Sequence, residues 1–459
     1  MNRRMMQHLV AWKASKDRKP LLFQGARQVG KTWLLEEFGR TCFTNVAYVN
    51  FDLTPSAGRV FDGDLDITKI VTGLQLVSGQ PIKPGETLVI LDEIQETPRA
   101  VTSLKYFCES APQYHIAAAG SYLGVASLKG TGFPVGKVNI LTLRPMSFLE
   151  FLEAMGQEGL AQCVREMEWS TVSIFSKTLI EHLRYYQIVG GMPEAVKSFA
   201  ENRDFLLVRD IQRGLLVEYN RDFGKHTPAD IVPSIRMVWN AVPSQLAKEN
   251  KKFFLSKLQK HARKDDFEPA IQWLCDAGLI HKVYRVTKPG FPLSAYLEED
   301  VFKLFLLDIG LLTAMSDLDP QIILNGNRVF TEFKGALSEQ YVHQQLLAET
   351  GFTPYYWATN TNELDFLFQH RNAIVPLEVK AETNLRSRSL MCFCRKFRIP
   401  FAVRSSMIDF RQDWTDTFPS RKDAKEDDFR FLLANLPLYA MSRLSEICDA
   451  SDNASGTIG

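Results

Sequence analysis

The chain has 459 residues, 45% hydrophobic and 23% charged, with a formal net charge of +1. That composition suits an ordinary globular protein long enough for roughly three domains of about 150 residues each. It excludes a global basic field, so any nucleic-acid site must be local, and no apolar run approaches the roughly 18 residues of a membrane span.

The basic start, Met1-Asn2-Arg3-Arg4, precedes an apolar run too short for a signal sequence. Seven cysteines are scattered without a CxxC pair, which fits a reducing cytoplasm. The first strong pattern is KPLLFQGARQVGKTWLLEEFG, residues 19–39. A buried strand is predicted over 20–24 and a helix over 32–38. Between them run Gly25, Ala26, Arg27, Gln28, Val29, Gly30, Lys31 and Thr32, the G-x-x-x-x-G-K-[ST] pattern. Its glycines let backbone N–H groups curl around phosphate oxygens, and the following helix adds its positive end. Lys31 then reaches the β- and γ-phosphates of ATP, and the Thr32 hydroxyl ligates Mg²⁺. A glycine turn that merely precedes Lys-Thr is the bland alternative.

TLVILDEIQE, residues 87–96, opens as a continuous apolar strand, as expected where both faces are buried. Asp92 at its tip is placed to hold the Mg²⁺ shell, and Glu93 to deprotonate an attacking water. Further strands are predicted over 46–51, 115–119 and 138–143. The strand over 115–119 leads into Gly120-Ser121, where Ser121 either senses the γ-phosphate or belongs to an ordinary turn. Strands alternating with helical stretches imply an open α/β sheet covered on both faces.

The motifs KPLLFQGARQVGKT, LVILDEIQE, AAAGS, FPVGKV, LRPMSFLEFL and YYQIVGGMPEAV span residues 19–196. Together they resemble a family of prokaryotic AAA-type, archaeal-ATPase-like P-loop ATPases with a C-terminal domain of unassigned function. The resemblance extends to about residue 410. It implies an α/β fold with an AAA-type parallel sheet, a helical lid and winged helix, and a C-terminal restriction-endonuclease-like α/β domain. It casts Lys31 and Thr32 as Walker A, Asp92 and Glu93 as Walker B, and Ser121 as sensor 1. Lys137 stands where many members carry arginine; Arg99 and Arg144 are arginine-finger candidates or ordinary surface residues.

Gly190-Gly191-Met192-Pro193 marks a boundary, and the apolar spacing over 203–223 is helical. Residues 253–286 read as helix, turn, helix and β-like stretch, with Asp265-Asp266 opening the second helix and Gly278 closing it. That order suits a winged helix. Lys248, Lys251, Lys252, Lys257, Lys260, Arg263 and Lys264 form the densest basic cluster, either a DNA-phosphate contact or a solvated face in a domain used for packing.

FKGALSEQYVHQQLLAET, residues 333–350, reads as an amphipathic helix carrying Glu339. ELDFLFQHRNAIVPLEVKA, residues 363–381, reads as a hairpin turning at Arg371-Asn372. That register sets Asp365 opposite Glu378 and Glu363 opposite Lys380, with Leu364, Phe366, Phe368, Val375, Leu377 and Val379 sharing the apolar face. Opposed carboxylates repel, unless a cation sits between them. Glu339, Asp365, Glu378 and Lys380 resemble a PD-(D/E)XK nuclease site, which implies Mg²⁺ or Mn²⁺ between the acids and water activation by Lys380. A metal-free salt bridge through Lys380 is the alternative.

The expected organisation is a P-loop core over 1–155, lid and connector over 156–225, and a winged-helix-like domain over 226–315. A nuclease-like domain over 316–440 and a tail over 441–459, frayed from about residue 450, complete it. Three functions follow: a cytoplasmic Mg-dependent ATPase whose nucleotide state moves the lid, an ATP-regulated nuclease acting on DNA, or a nucleotide-bound interaction module. Partners beyond ATP would be DNA, a protein or a second copy of the chain, with no membrane.

Overall fold

The computed structural model describes residues 2–121, 133–224, 227–248, 252–259, 263–325, 331–382, 387–417 and 429–455. It divides into two compact units, Met1–Arg144 with Gln272–Leu279, and Pro145–Ile271 with Ile280–Gly459. No helix among the described residues is long and apolar enough to cross a membrane, and all seven cysteines are free.

The first unit is built on β1 (Leu21–Gly25), β2 (Asn45–Asn50), β3 (Thr87–Asp92), β4 (His115–Ser121) and β5 (Asn139–Thr142). Their order is β2-β3-β4-β1-β5 and every pair is parallel. Each residue of β3 is buried, which explains its unbroken apolar run. Ala47, Val49, Val89 and Leu91 pack with Ile70, Leu74 and Leu104 of two helices, Ile67–Ser78 and Pro98–Ser110. Fully burying each valine, leucine or isoleucine among them contributes about 1.5–3 kcal/mol. Because the strands are parallel, their C-terminal ends share one edge, where the candidate residues of β1, β3 and β4 lie together.

The second unit contains β6 (Ile280–Val286), β7 (Leu297–Leu306), β8 (Tyr355–Ala358), β9 (Glu363–His370), β10 (Ala373–Val379), β11 (Phe401–Ser406), β12 (Arg411–Asp416) and β13 (Arg430–Pro437). They form one mixed sheet ordered β12-β13-β11-β10-β9-β8-β6-β7. The β6–β7 hairpin follows a helix, Lys264–Asp276, as a wing would. Yet β6 also pairs in parallel with β8, so the hairpin is an extension of the C-terminal sheet.

Three local expectations change. The helix expected from residue 253 is a single 3-10 turn, Leu255–Lys257. The Phe253 N–H is taken by the Phe302 carbonyl at 2.8 Å and the Phe254 N–H by Gln245 at 2.6 Å, which draws the backbone away from helical bonding. The helix carrying Glu339, α3 (Thr331–Gln345), is not amphipathic: Ser338, Glu339, Gln340, His343, Gln344 and Gln345 are all buried. Gln340 satisfies both the N–H and the carbonyl of Leu306, at 2.9 and 2.7 Å, and Gln344 accepts from the Ile309 N–H at 2.9 Å. The tail forms a helix, Leu444–Ser455, tied down by Asp449, which accepts from His370 at 2.7 Å and Arg371 at 2.8 Å.

Gly190 and Gly191, between α2 (Ser176–Val189) and a helix opening at Pro193, are buried. Asp308, fully buried, accepts from the Gly191 N–H at 2.6 Å and from Gln344 at 3.0 Å. The chain break is therefore a packed junction inside the second unit, not a linker.

Candidate functional site

The phosphate loop joins β1 to α1 (Lys31–Cys42). A Cβ on Gly25 would lie 2.4 Å from the Leu143 carbonyl oxygen, so the first glycine is required by close backbone approach. Gly30 takes φ +91° at the start of α1, and Gln28 in the loop also has positive φ, a strained position of the kind concentrated at functional sites. No side chain caps α1, and its first turn holds no acid. Its first N–H groups thus lack the usual Ser, Thr or Asp partner, as an anion-binding helix end requires.

Lys31 is 8% exposed and donates to the Gly25 carbonyl at 3.1 Å and the Ala26 carbonyl at 2.8 Å. Burial pushes its pKa down to about 8, a fall resisted by Glu93 and Asp92 and assisted by Arg27. Asp92, 3% exposed, is the hub opposite. Its Oδ2 accepts from the Thr32 hydroxyl at 2.9 Å, the Tyr48 hydroxyl at 2.8 Å and the Asn50 amide at 3.4 Å; Oδ1 accepts from the Glu93 N–H at 3.0 Å. Burial pushes the Tyr48 phenol up to about 12, so it stays protonated and donates. Thr32 and Asp92 bring hard oxygens to one point, the donor type Mg²⁺ prefers.

Glu93 has φ +50°, and its carboxylate accepts from the Gln95 amide. Ser121 lies beside Gly25 in the β1–β4 register, at the same sheet edge. Two of the other candidate cations are engaged elsewhere. Lys137 pairs with Glu109 at 2.9 Å, and Arg99 donates to the Phe61 carbonyl at 2.7 Å and to the Gly63 carbonyl. Sequence reasoning missed Tyr48 and Asn50, whose polar character inside the β2 pattern was the available signal. It also missed Arg3, which donates to the Val29 carbonyl at 3.1 Å and the Arg144 carbonyl at 2.6 Å, bracing the loop.

Residues 17–152 match the AAA domain family. This segment holds the phosphate loop and all five strands of the parallel sheet. Residues 180–322 match the domain of unknown function DUF8612, and residues 334–415 the domain of unknown function DUF4143. Solved structures that align with the chain include the Walker-type ATPase PABY2304 of Pyrococcus abyssi, at 13% identity over 69% of this chain and 95% of that one, TM-score 0.45. The Thermotoga maritima RuvB Holliday junction branch migration motor aligns at 14% over 62% and 90%, TM-score 0.29. Cdc6p of Pyrobaculum aerophilum aligns at 10% over 71% and 94%, TM-score 0.26. The search of curated proteins found no match.

The second group of candidates lies in the mixed sheet. The β9–β10 register is the expected one from the turn as far as Leu377 opposite Phe366. The ladder ends there. Asp365, rather than facing Glu378 bare, accepts from the Val379 N–H at 2.7 Å, and Glu378 pairs with Lys380 at 2.7 Å. Glu363 is paired not with Lys380 but with Lys303 of β7, at 2.6 Å. Nor is the sheet apolar on one face only: Leu367 and Ile374, on the opposite alternation, are also buried.

Lys303 is fully buried, 3.4 Å from Glu339 and 4.8 Å from the Tyr356 ring centroid. Burial pulls its pKa down, but Glu339, Glu363 and Asp365 together hold it above its ordinary value. Sequence reasoning missed this residue, although a lone lysine inside the apolar run VFKLFLL signals a buried charge that needs partners. Burial raises the Glu378 pKa against the pull of Lys380, and its Oε2 is buried without a hydrogen-bond partner. Among the described residues, no group of three or more histidines, cysteines or acids is arranged to hold a metal ion. Of the basic cluster, Lys251 and Lys260 lie outside the described residues.

Proposed function

We propose that the chain is a Mg-dependent ATP-binding and hydrolysing AAA-type ATPase. Lys31 carries this reading: a buried lysine parked on two carbonyls of its own loop, with too little counter-charge around it and two acids opposite. Triphosphate oxygens supply the missing charge. Mg²⁺, when bound, neutralises charge on the phosphates; Thr32 and Asp92 would hold it. Glu93 takes the proton of the attacking water, and Ser121 senses the γ-phosphate. Nucleotide state would then move the lid over 156–225 and the winged-helix-like segment over 226–315, in a cytoplasmic protein. Lys31→Ala should weaken Mg-ATP binding by about 10²-fold or more. Calorimetry that returned the parent affinity would remove the loop from the site.

A second reading makes residues 316–440 a PD-(D/E)XK-like nuclease domain acting on DNA under ATP control, with the 248–264 cations on phosphates. The partnerless Glu378 Oε2, near Asp365 and Lys380, favours it. Its test is plasmid nicking with Mg²⁺ or Mn²⁺, with and without ATP, beside melting of the full chain with and without metal. Asp365→Asn should remove any metal response. A parent chain that neither nicks nor responds to metal leaves the ATPase alone.

A further inference from the structure

A cavity of about 340 Å³ lies in the second unit between α2 and α3. Arg184 and Gln187 reach it from one face of α2, and Lys334 and Ser338, one turn apart, from one face of α3. Ile180, Ile323 and Met407 supply an apolar wall. The polar groups are unusual in being left over. A helical serine ordinarily bonds back to the carbonyl one turn earlier, but Ser338 is 1% exposed and its hydroxyl has no partner. Gln187, 6% exposed, finds no hydrogen-bond partner among the described residues. Buried polar groups are normally satisfied, so the Ser338 hydroxyl points to a ligand, and the Gln187 amide beside it is open to the same one.

Charge selects its kind. Arg184 is oriented by one bond, from Nη1 to the Leu324 carbonyl at 3.1 Å. Lys334 pairs with Glu382, whose side chain is 62% exposed. Two cations against one largely solvated acid favour an anion, and fixed N–H and O–H donors favour phosphate oxygens. The volume falls at the lower end of small-ligand pockets, about 300–1,000 Å³.

We propose that this cavity binds a phosphomonoester of mononucleotide size, with Arg184 and Lys334 on the phosphate and Ser338 and Gln187 completing its hydrogen bonds. The proposal is independent of the phosphate loop and of the nuclease reading.

The experiment is calorimetry on the full-length Lys31→Ala chain, so that loss of ATP binding there and failure here are distinguishable. The probes are inorganic phosphate, a nucleoside 5′-monophosphate and the same nucleoside without phosphate. The monophosphate should bind, inorganic phosphate more weakly, and the nucleoside not measurably. Adding Arg184→Gln should weaken monophosphate binding by about tenfold. Ser338→Val removes the hydroxyl and fills part of the cavity without adding charge, and should weaken binding several-fold while leaving the melting temperature near the parent. No binding of either phosphate probe overturns the proposal. So does nucleoside binding equal to monophosphate binding, or parent affinity in both variants.

Discussion

Lys31 and Lys303 are both buried among oxygen atoms, and they have opposite electrostatics. Lys31 meets two peptide carbonyls, with Asp92 and Glu93 near enough to resist the effect of burial but not to cancel it, and its pKa falls to about 8. Lys303 meets Glu339 and Glu363 directly, with Asp365 close by, and its pKa rises. The first is a cation short of counter-charge; the second already has it. Burial of a charge therefore does not by itself mark a ligand site. The deficit does, and a triphosphate fits the deficit at Lys31.

The comparison can be broken most directly by removing each charge. Lys303→Met strands the buried Glu339 and takes the partner from the half-buried Glu363, and should cost about 3–5 kcal/mol, read as a large fall in the unfolding midpoint. Lys31→Met removes a charge that burial already disfavours, and should melt at or above the parent at pH 7. Similar losses in both would mean that the two environments do not differ as described. Millimolar Mg²⁺ added to Lys303→Met sharpens the test: recovery of stability would show that the acids accept a divalent ion once the lysine is gone.

On the P-loop side, Glu93→Gln keeps the shape of the side chain but not its basicity. ATP should stay bound while hydrolysis falls by roughly 10²-fold, and parent turnover would exclude Glu93 as the base. The depressed Lys31 pKa has a signed consequence. Bound phosphates raise that pKa, so affinity is constant below about pH 8 and falls above it, by up to about tenfold per pH unit, with proton uptake on binding. Calorimetry from pH 7 to 9.5 in two buffers of different ionisation enthalpy measures both; a flat affinity would mean that Lys31 does not carry the depressed pKa. The smallest effect belongs to Tyr48→Phe. It removes one of three donors on Asp92 Oδ2, and should raise the Mg²⁺ needed for half-maximal hydrolysis about 3–10-fold at unchanged ATP affinity. An unchanged Mg²⁺ requirement would reduce Tyr48 to packing.

The difference between the two regions extends to how legible each was in sequence. The phosphate loop is contiguous, so Gly25 through Thr32 announce their chemistry by spacing alone, and β3 announces itself by an apolar run that only a doubly covered strand needs. The β9–β10 register followed from alternation and its turn. Tyr48, Asn50 and Lys303 carry polar signals in sequence, but their partners were not legible, because strand pairing brings them together from far along the chain: β2 lies beside β3, and β7 shares a sheet with β9. Within the hairpin itself, the expected Asp365–Glu378 confrontation becomes separate bonds to a peptide N–H and to Lys380. The 253–259 segment failed for a related reason, since bonds to Gln245 and Phe302 outcompete a local helix.

The continuity of β6 with β8 bears on how this protein can be cut. A chain shortened to begin near residue 316 would lose β6 and β7, leaving β8 as a raw edge whose N–H and C=O groups invite pairing with another molecule. It would also leave Glu339 and Glu363 without Lys303. Aggregation of such a fragment would then report a severed sheet, and say nothing against activity in the intact chain.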